Sequence, residues 1–132
     1  MAAIAPEVKA AYEEIRNPGS TTSWAVLGYA GNTIVVVATG TDHAAFLGTL
    51  RENEAQYAYY RVEVETDSGM RSRFALVSWV GPQTSPLTRG KVSVDKPGLK
   101  TVIKDYTAEI ATSDRADLDY AAIVQKVRSA SY

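Results

Sequence analysis

Two pairs of basic side chains have the types and spacing to recognise an acidic partner. Arg71 and Arg73 stand one residue apart at the start of an apolar segment, and Arg89 and Lys91 repeat that spacing further along. In a strand, alternation places residues i and i+2 on one face, so both guanidinium groups of the first pair face the same side. A guanidinium can hold a carboxylate through two parallel hydrogen bonds. The first pair therefore predicts an electrostatic binding surface.

A third basic group consists of Lys96, Lys100 and Lys104, which recur at a spacing of four residues. If residues 96–106 form one helix, these lysines make a stripe on one side of it. The stripe then suits an extended acidic surface, or it is a solvated face that keeps the protein soluble. The sequence favours the solvated face.

No set of residues in the sequence builds a catalytic or metal site. His43 is the single histidine, there is no cysteine, and Gly90 with Lys91 fails the phosphate-loop pattern because Ser85 and Val92 stand at the required glycine and hydroxyl positions. The carboxylate groups have structural explanations, such as the acids near a predicted helix start. We therefore expect a protein that is not an enzyme and has no cofactor and no metal.

Length and charge set the class of the protein. The chain has 132 residues with a formal net charge of −1, which fits a single domain over residues 1–132. Residues 1–67 carry a net charge of −5 and residues 68–132 carry +4. No segment approaches the ~20 apolar residues of a membrane span, and the start lacks a signal-peptide pattern. We expect a monomeric, cytoplasmic protein.

The hydrophobic pattern predicts helices alternating with strands. We expect helices over 6–16, from the cap Asp42 to Leu50, from Leu99 onward and over 115–129, and strands over 23–29, 33–39, 56–65, 71–80 and 107–112. Residues 84–91 start a further helix that Gly90 and then Pro97 with Gly98 are expected to interrupt. The fold class is α/β, or an α+β sandwich, with a mixed sheet of five to six strands flanked by helices on both faces.

Three segments carry a resemblance to a known family. Residues 71–81 read Arg-Ser-Arg-Phe-Ala-Leu-Val-Ser-Trp-Val-Gly, residues 84–91 follow with a basic pair, and residues 123–128 form part of the last predicted helix. In this order they resemble the actin-depolymerising-factor homology (ADF/cofilin) family, and within it the coactosin branch.

The resemblance implies an ADF-homology fold that binds actin filaments and has no catalytic activity or cofactor. It implies that Arg71 and Arg73 match the family's filament-binding pair on a strand. Arg89 and Lys91 would match the basic pair on its actin-contacting helix, and Lys126 a basic position on its last helix. Because actin's surface is acidic, such cations can bind its carboxylates through charge-assisted hydrogen bonds.

The predicted interruption at Gly90, Pro97 and Gly98 departs from the long helix of cofilins. It favours a protein of the coactosin branch that binds along filaments, with weak monomer binding and little severing. Two alternatives remain: a cofilin-like severing or depolymerising factor, and a nucleic-acid-binding module that uses the lysine stripe and the tyrosines. The net charge of −1 disfavours the second alternative.

Overall fold

The computed structural model describes residues 2–130, so residues 1, 131 and 132 of the predicted domain lie outside the described part. The elements in chain order are β1 (Ala3–Ile4), α1 (Pro6–Arg16), β2 (Trp24–Ala30), β3 (Thr33–Gly40), α2 (His43–Gly48), β4 (Ala55–Thr66), β5 (Gly69–Val80), α3 (Pro86–Leu99), β6 (Ala108–Thr112), a 3₁₀ turn (Arg115–Leu118) and α4 (Tyr120–Ala130). The predicted helix over 6–16 is confirmed at both ends, and the four long predicted strands agree within two residues.

One six-stranded sheet has the order β1-β3-β2-β4-β5-β6. The pairs β1 with β3 and β5 with β6 are parallel, and the pairs between them are antiparallel. Two hairpins, β2–β3 and β4–β5, supply antiparallel pairs, whereas the parallel partner β6 is reached through α3. This arrangement confirms the predicted mixed sheet.

Helices cover both faces of this sheet. Ile15 of α1 and Val92 of α3 belong to one buried cluster, and Phe46 of α2 and Ile123 of α4 belong to another. Alternate residues of β4 and β5 contribute to each cluster because successive side chains of a strand point to opposite faces. We call these the α1/α3 face and the α2/α4 face.

The expected interruption of the third helix is wrong, because α3 runs without a break through Gly90 and Pro97. Gly90 costs such a helix only about 1 kcal/mol relative to alanine. Pro97 lies in the last turn, where the one carbonyl it leaves unbonded is that of Ser93, four residues earlier. Ser93 and Pro97 are both exposed, so water can solvate the Ser93 carbonyl. Burial of Val92 and Leu99 on the other side holds the helix against the sheet.

The predicted helix from Leu99 onward is also wrong, because α3 ends there and the chain unwinds through turns. The backbone N–H groups of Thr101 and Val102 bond carbonyls three residues back, and the N–H of Asp105 is satisfied by the Tyr12 hydroxyl at 2.9 Å. Leu99 and Ile103 are nevertheless buried in the α1/α3 cluster. Their spacing thus reflects burial in an irregular segment.

Two smaller differences complete the comparison with the sequence. The short strand β1 was not predicted, since two residues give no detectable alternation. The predicted helix over 115–129 is divided into the 3₁₀ turn and α4, with Asp119 between them.

Candidate functional site

The hairpin of β4 and β5 extends beyond the rest of the sheet. Strand β2 pairs with β4 only up to Tyr60, and β6 pairs with β5 only from Ala75 onward. Residues 61–66 and 69–74 therefore have only each other as strand partners, although backbone hydrogen bonds from Arg61 to Ser23 and from Thr107 to Phe74 join their base to the rest of the fold. Six residues of extended chain span about 20 Å. We call residues 61–74 the arm; its turn is closed by Gly69, whose φ of 97° lies in the left-handed region that favours glycine.

Arg71 and Arg73 lie on one face of this arm, as alternation predicted, opposite Val64 and Val62 of β4. Those two valines belong to the buried cluster of the α2/α4 face. Arg71 is exposed and Arg73 is half-buried. Each guanidinium donates one hydrogen bond to a carbonyl, that of Met70 at 2.9 Å or of Ser72 at 3.0 Å. Within residues 2–130 neither forms an ion pair, so both keep donors for an external carboxylate. We call these two arginines the arm surface.

The other face of the arm is acidic near its end. Glu63 accepts hydrogen bonds from the Ser72 hydroxyl at 2.8 and 2.9 Å, and Glu65 is exposed beside it. At the base of the arm, Arg61 is half-buried and donates to the carbonyls of Ile15 and Ser20, each at 3.0 Å. Arg61 therefore satisfies the carboxyl end of α1. Alternation thus puts Glu63 and Glu65 on the face opposite Arg71 and Arg73, together with Arg61, which lies 3.8 Å from Glu63.

Arg89 and Lys91 lie on α3, away from the arm. The Arg89 guanidinium donates to the backbone carbonyls of Thr84 and Pro82, at 3.2 Å each, so it holds the loop before α3. The Lys91 ammonium lies 4.5 Å from the centre of the Tyr29 ring. This cation–π contact stabilises the ammonium in its position.

The arm surface and the start of α3 are at opposite ends of β5. Eight residues of extended chain separate Arg73 from Gly81, which is about 26 Å. In addition, α3 covers the α1/α3 face, whereas the arm surface is on the α2/α4 face. The structure therefore does not bring the two predicted basic pairs together.

Lys126 lies on α4 and is exposed. It shares a groove between α4 and β6 with Glu109 and Gln125, and it forms no ion pair within the described residues. Because α4 packs on the α2/α4 face, Lys126 and the arm surface are on the same face of the sheet.

The predicted lysine stripe does not exist as a helical stripe. Lys96 and Lys100 both bind Glu109, at 3.3 and 2.6 Å, and join the end of α3 to β6. Burial opposes ionisation of Glu109, but hydrogen bonds from the two lysines hold its pKa below the ordinary value. Lys104 is exposed in the irregular segment beyond the helix.

A feature that the sequence reasoning missed is the apolar outer side of α3. Leu87 is 81% exposed and Val94 is 54% exposed, and Gly90 between them leaves open space. Lys91 borders the same groove. The spacing of Leu87 and Val94, seven residues apart on one helix face, was a signal that could have revealed this side. We call Leu87, Lys91 and Val94 the helix surface.

The described residues 2–130 contain no group of histidine, cysteine, aspartate or glutamate side chains that could hold a metal ion. His43 instead shares a hydrogen bond of 2.7 Å with the Tyr60 hydroxyl, and its ring contacts Phe46. No helix in this part of the chain is long and apolar enough to cross a membrane.

Comparison with known proteins gives the family. The model of the cofilin/tropomyosin-type actin-binding proteins matches residues 1–128. The chain belongs to this family. Coactosin from Dictyostelium discoideum is 34% identical over 129 residues, covering 95% of this chain and 88% of its own length.

Solved structures of the same family have the same fold. The crystal structure of human coactosin-like protein has a TM-score of 0.92 at 30% identity and covers 98% of this chain and 99% of its own. Mouse coactosin, an actin filament binding protein, has a TM-score of 0.84 at 31% identity, with 97% and 91% covered. The expected family and its fold are therefore confirmed, and the chain is placed among actin-binding cytoskeletal proteins.

Proposed function

We propose that this protein binds the side of actin filaments through the arm surface, with the helix surface as a second contact. The observation that carries the proposal is the pair Arg71 and Arg73, which project on the arm without an ion-pair partner in residues 2–130. Free guanidinium groups in a member of an actin-binding family suit the carboxylates of an acidic protein surface. Lys126 adds a cation on the same face of the sheet.

The distance between the two surfaces supports a filament as the partner. Arg73 is about 26 Å along β5 from Gly81, near the start of α3, and the two surfaces lie on opposite faces of the sheet. A single flat surface cannot contact both, whereas a filament presents several subunits around its side. On the helix surface, Leu87 and Val94 supply apolar area that is lost from water on binding, and Lys91 supplies charge. Arg89 flanks that contact while holding its own loop.

We assign the protein no enzymatic activity and no cofactor, a monomeric state and a cytoplasmic location, with the whole chain acting as one module. Nucleic-acid binding has less support. Two lysines of the stripe on which this alternative relied, Lys96 and Lys100, are paired with Glu109, and the Phe74 ring of the arm is stacked on Tyr59 at 5.2 Å, so it offers no free platform for a base.

A second candidate within the family is a severing or monomer-binding factor of the cofilin type. The continuous α3 favours it, because the interruption that argued against monomer binding is absent. Fluorescence microscopy of preformed filaments, before and after the protein is added, separates the two candidates. Side binding leaves filament length unchanged, whereas severing shortens filaments within minutes.

Co-sedimentation with actin filaments tests the proposal. We expect Arg71→Ala/Arg73→Ala to raise the Kd about 100-fold at moderate salt, because two charged contacts of about 1–2 kcal/mol each are lost. Arg71→Lys/Arg73→Lys keeps the charge but not the fork of donors, and we expect an intermediate loss.

The matched control is Lys9→Ala/Lys104→Ala, which removes the same charge from two exposed residues outside both surfaces. We expect this variant to sediment like the wild type. Equal weakening by both double variants would mean that net charge matters and the arm surface does not. No sedimentation of the wild type would exclude filament binding altogether.

A further inference from the structure

The outer edge of β6 has no strand beside it within residues 2–130. β6 is the last strand in the order of the sheet and pairs with β5 alone. Half of the backbone N–H and C=O groups of a strand point to each side, so those on the outer side of β6 lack a ladder partner. No loop or side chain of residues 2–130 forms a hydrogen bond with the backbone of β6 in their place.

The opposite edge of the sheet is protected, which makes the open edge of β6 distinctive. There β1 covers Thr33 and Ile34 of β3, and the Glu7 carboxylate accepts a hydrogen bond from the Val36 N–H at 2.9 Å. Beyond these residues the register of β3 with β2 shifts, as in a β-bulge. Such devices stop an edge from pairing with another chain. β6 has a regular register with β5 and no covering strand.

A groove runs beside this open edge. The Thr112 hydroxyl donates to the Asp117 carboxylate at 2.6 Å, so α4 begins close to the carboxyl end of β6. Residues from both ends of α4 then line the groove together with β6, which places the helix alongside the strand. The groove has a volume of about 550 Å³, and its β6 and α4 walls are formed by Glu109, Ile110, Ala111, Ala122, Gln125, Lys126 and Ser129.

The charges of the groove favour an acidic occupant near Lys126. Glu109 is already bound by Lys96 and Lys100, at 3.3 and 2.6 Å, so it adds no unpaired negative charge. Lys126 is exposed and forms no ion pair within residues 2–130. The exposed carboxylate of Asp117 lies at the other end of the groove, where it repels an acid. A carboxylate therefore fits at the Lys126 end.

We propose that an extended acidic segment of another protein binds here by adding a strand to β6, with a carboxylate at Lys126. Its backbone hydrogen bonds pair with the open edge over five residues, about 17 Å, and the small side chain of Ala122 leaves room for it beside α4. A second copy of this chain suits the edge less well, because pairing through its own β6 brings a second Lys126 to the groove. The inference does not rest on the proposed filament contact.

The experiment titrates the isotope-labelled protein with a peptide and follows backbone amide shifts by NMR. The probe is Thr-Val-Glu-Val-Thr with both ends blocked, and we expect a Kd of about 100 μM. One control peptide has lysine in place of glutamate. The other keeps the sequence but carries a methyl group on every backbone nitrogen, which removes the donors that strand addition requires.

Two variants of α4 test the site, each with a matched control. Ala122→Gln fills the groove, whereas Ala121→Gln makes the same change at an exposed position that does not line it. Lys126→Glu reverses the charge in the groove, and Arg128→Glu reverses one outside it. We expect the first member of each pair to raise the Kd about tenfold and its control to bind like the wild type.

The inference predicts shift changes concentrated in β6 and α4 and slower amide exchange in β6 when the glutamate peptide is bound. It is overturned if that peptide does not bind, if the lysine or the methylated peptide binds equally well, or if the shifts map elsewhere. Self-association of the free protein that Ala122→Gln abolishes would assign the edge to a second copy and also overturn it. Because no step uses actin, none of these results alters the test of Arg71→Ala/Arg73→Ala.

Discussion

Asp95 is a buried carboxylate that ties α3 to the rest of the sheet. It is 3% exposed, and its oxygens accept hydrogen bonds from the backbone N–H of Ala2 at 2.8 Å and from the Tyr29 hydroxyl at 2.7 Å. A hydrogen bond to a charged group contributes about 1.5–3 kcal/mol. Asp95→Ala removes two of them, leaving the Ala2 N–H without its partner and the Tyr29 hydroxyl with only the Tyr57 hydroxyl, at 3.0 Å. We expect the free energy of unfolding to fall by about 3–5 kcal/mol.

Thermal unfolding followed by circular dichroism measures this loss. For a domain of this size about 1 kcal/mol corresponds to a change in Tm of about 3–5 °C, so Asp95→Ala should lower the Tm by about 10–20 °C. Asp95→Asn is the matched control, because it keeps the shape and one acceptor, and it should lose about half as much. A fall in Tm of less than about 3 °C for Asp95→Ala would refute the reasoning.

The pH dependence gives an independent check on Asp95. Burial opposes its ionisation, but hydrogen bonds from Ala2 and Tyr29 and the nearby Lys91 hold its pKa below the ordinary value. A lowered folded-state pKa means that the stabilisation is complete above the unfolded pKa and is lost as pH falls through the folded one. The difference in unfolding free energy between wild type and Asp95→Asn should therefore be constant above about pH 5 and shrink below about pH 4.

Three further predictions concern two glycine positions and the base of the arm. Gly81→Ala should lower the free energy of unfolding in urea by about 3 kcal/mol, because its Cβ would lie 2.2 Å from the Glu52 carbonyl oxygen. Gly90→Ala should raise it by about 0.5–1 kcal/mol, because this helical position has open space around it; a loss there would contradict the structure of α3. Arg61→Met should lower it by about 1–3 kcal/mol and speed amide exchange at the end of α1, whose carbonyls Arg61 bonds.

The arm and its charge pattern could be predicted because they depend on local rules. Alternation predicted that both arginines of the arm surface share a single face, and the same rule accounts for Val62 and Val64 on one face and Glu63 and Glu65 on the other. The same rule could not show that Arg61 reaches the end of α1. That contact joins residues 46 positions apart and depends on how the helix lies across the sheet.

The errors around α3 share one physical cause. The prediction assigned Pro97 the free-energy cost of a proline in the interior of a helix. Pro97 instead lies in the last turn, where it removes one hydrogen bond on the exposed side. The lysine stripe required one helix over residues 96–106. Because α3 ends at Leu99, that helix does not form. Lys96 and Lys100 became partners of Glu109 on β6, a contact that a sequence pattern does not contain.

The ion pairs show which cations of the positive half of the chain are paired and which remain available to a partner. The positive half of the sequence has its lysines Lys96 and Lys100 bound to Glu109, and its Arg115 is bound to Glu52 of the negative half. Glu52 neutralises Arg115 at short range, and the single carboxylate of Glu109 leaves one net positive charge for its two lysines, so these three cations add only one net charge to long-range attraction. Arg71 and Arg73 have no such partner in residues 2–130, and β4 keeps its carboxylates on the opposite face of the arm. The field at the arm surface is therefore set mainly by two guanidinium groups rather than by the net charge of −1, and a nearly neutral protein can still present a basic surface to an acidic partner.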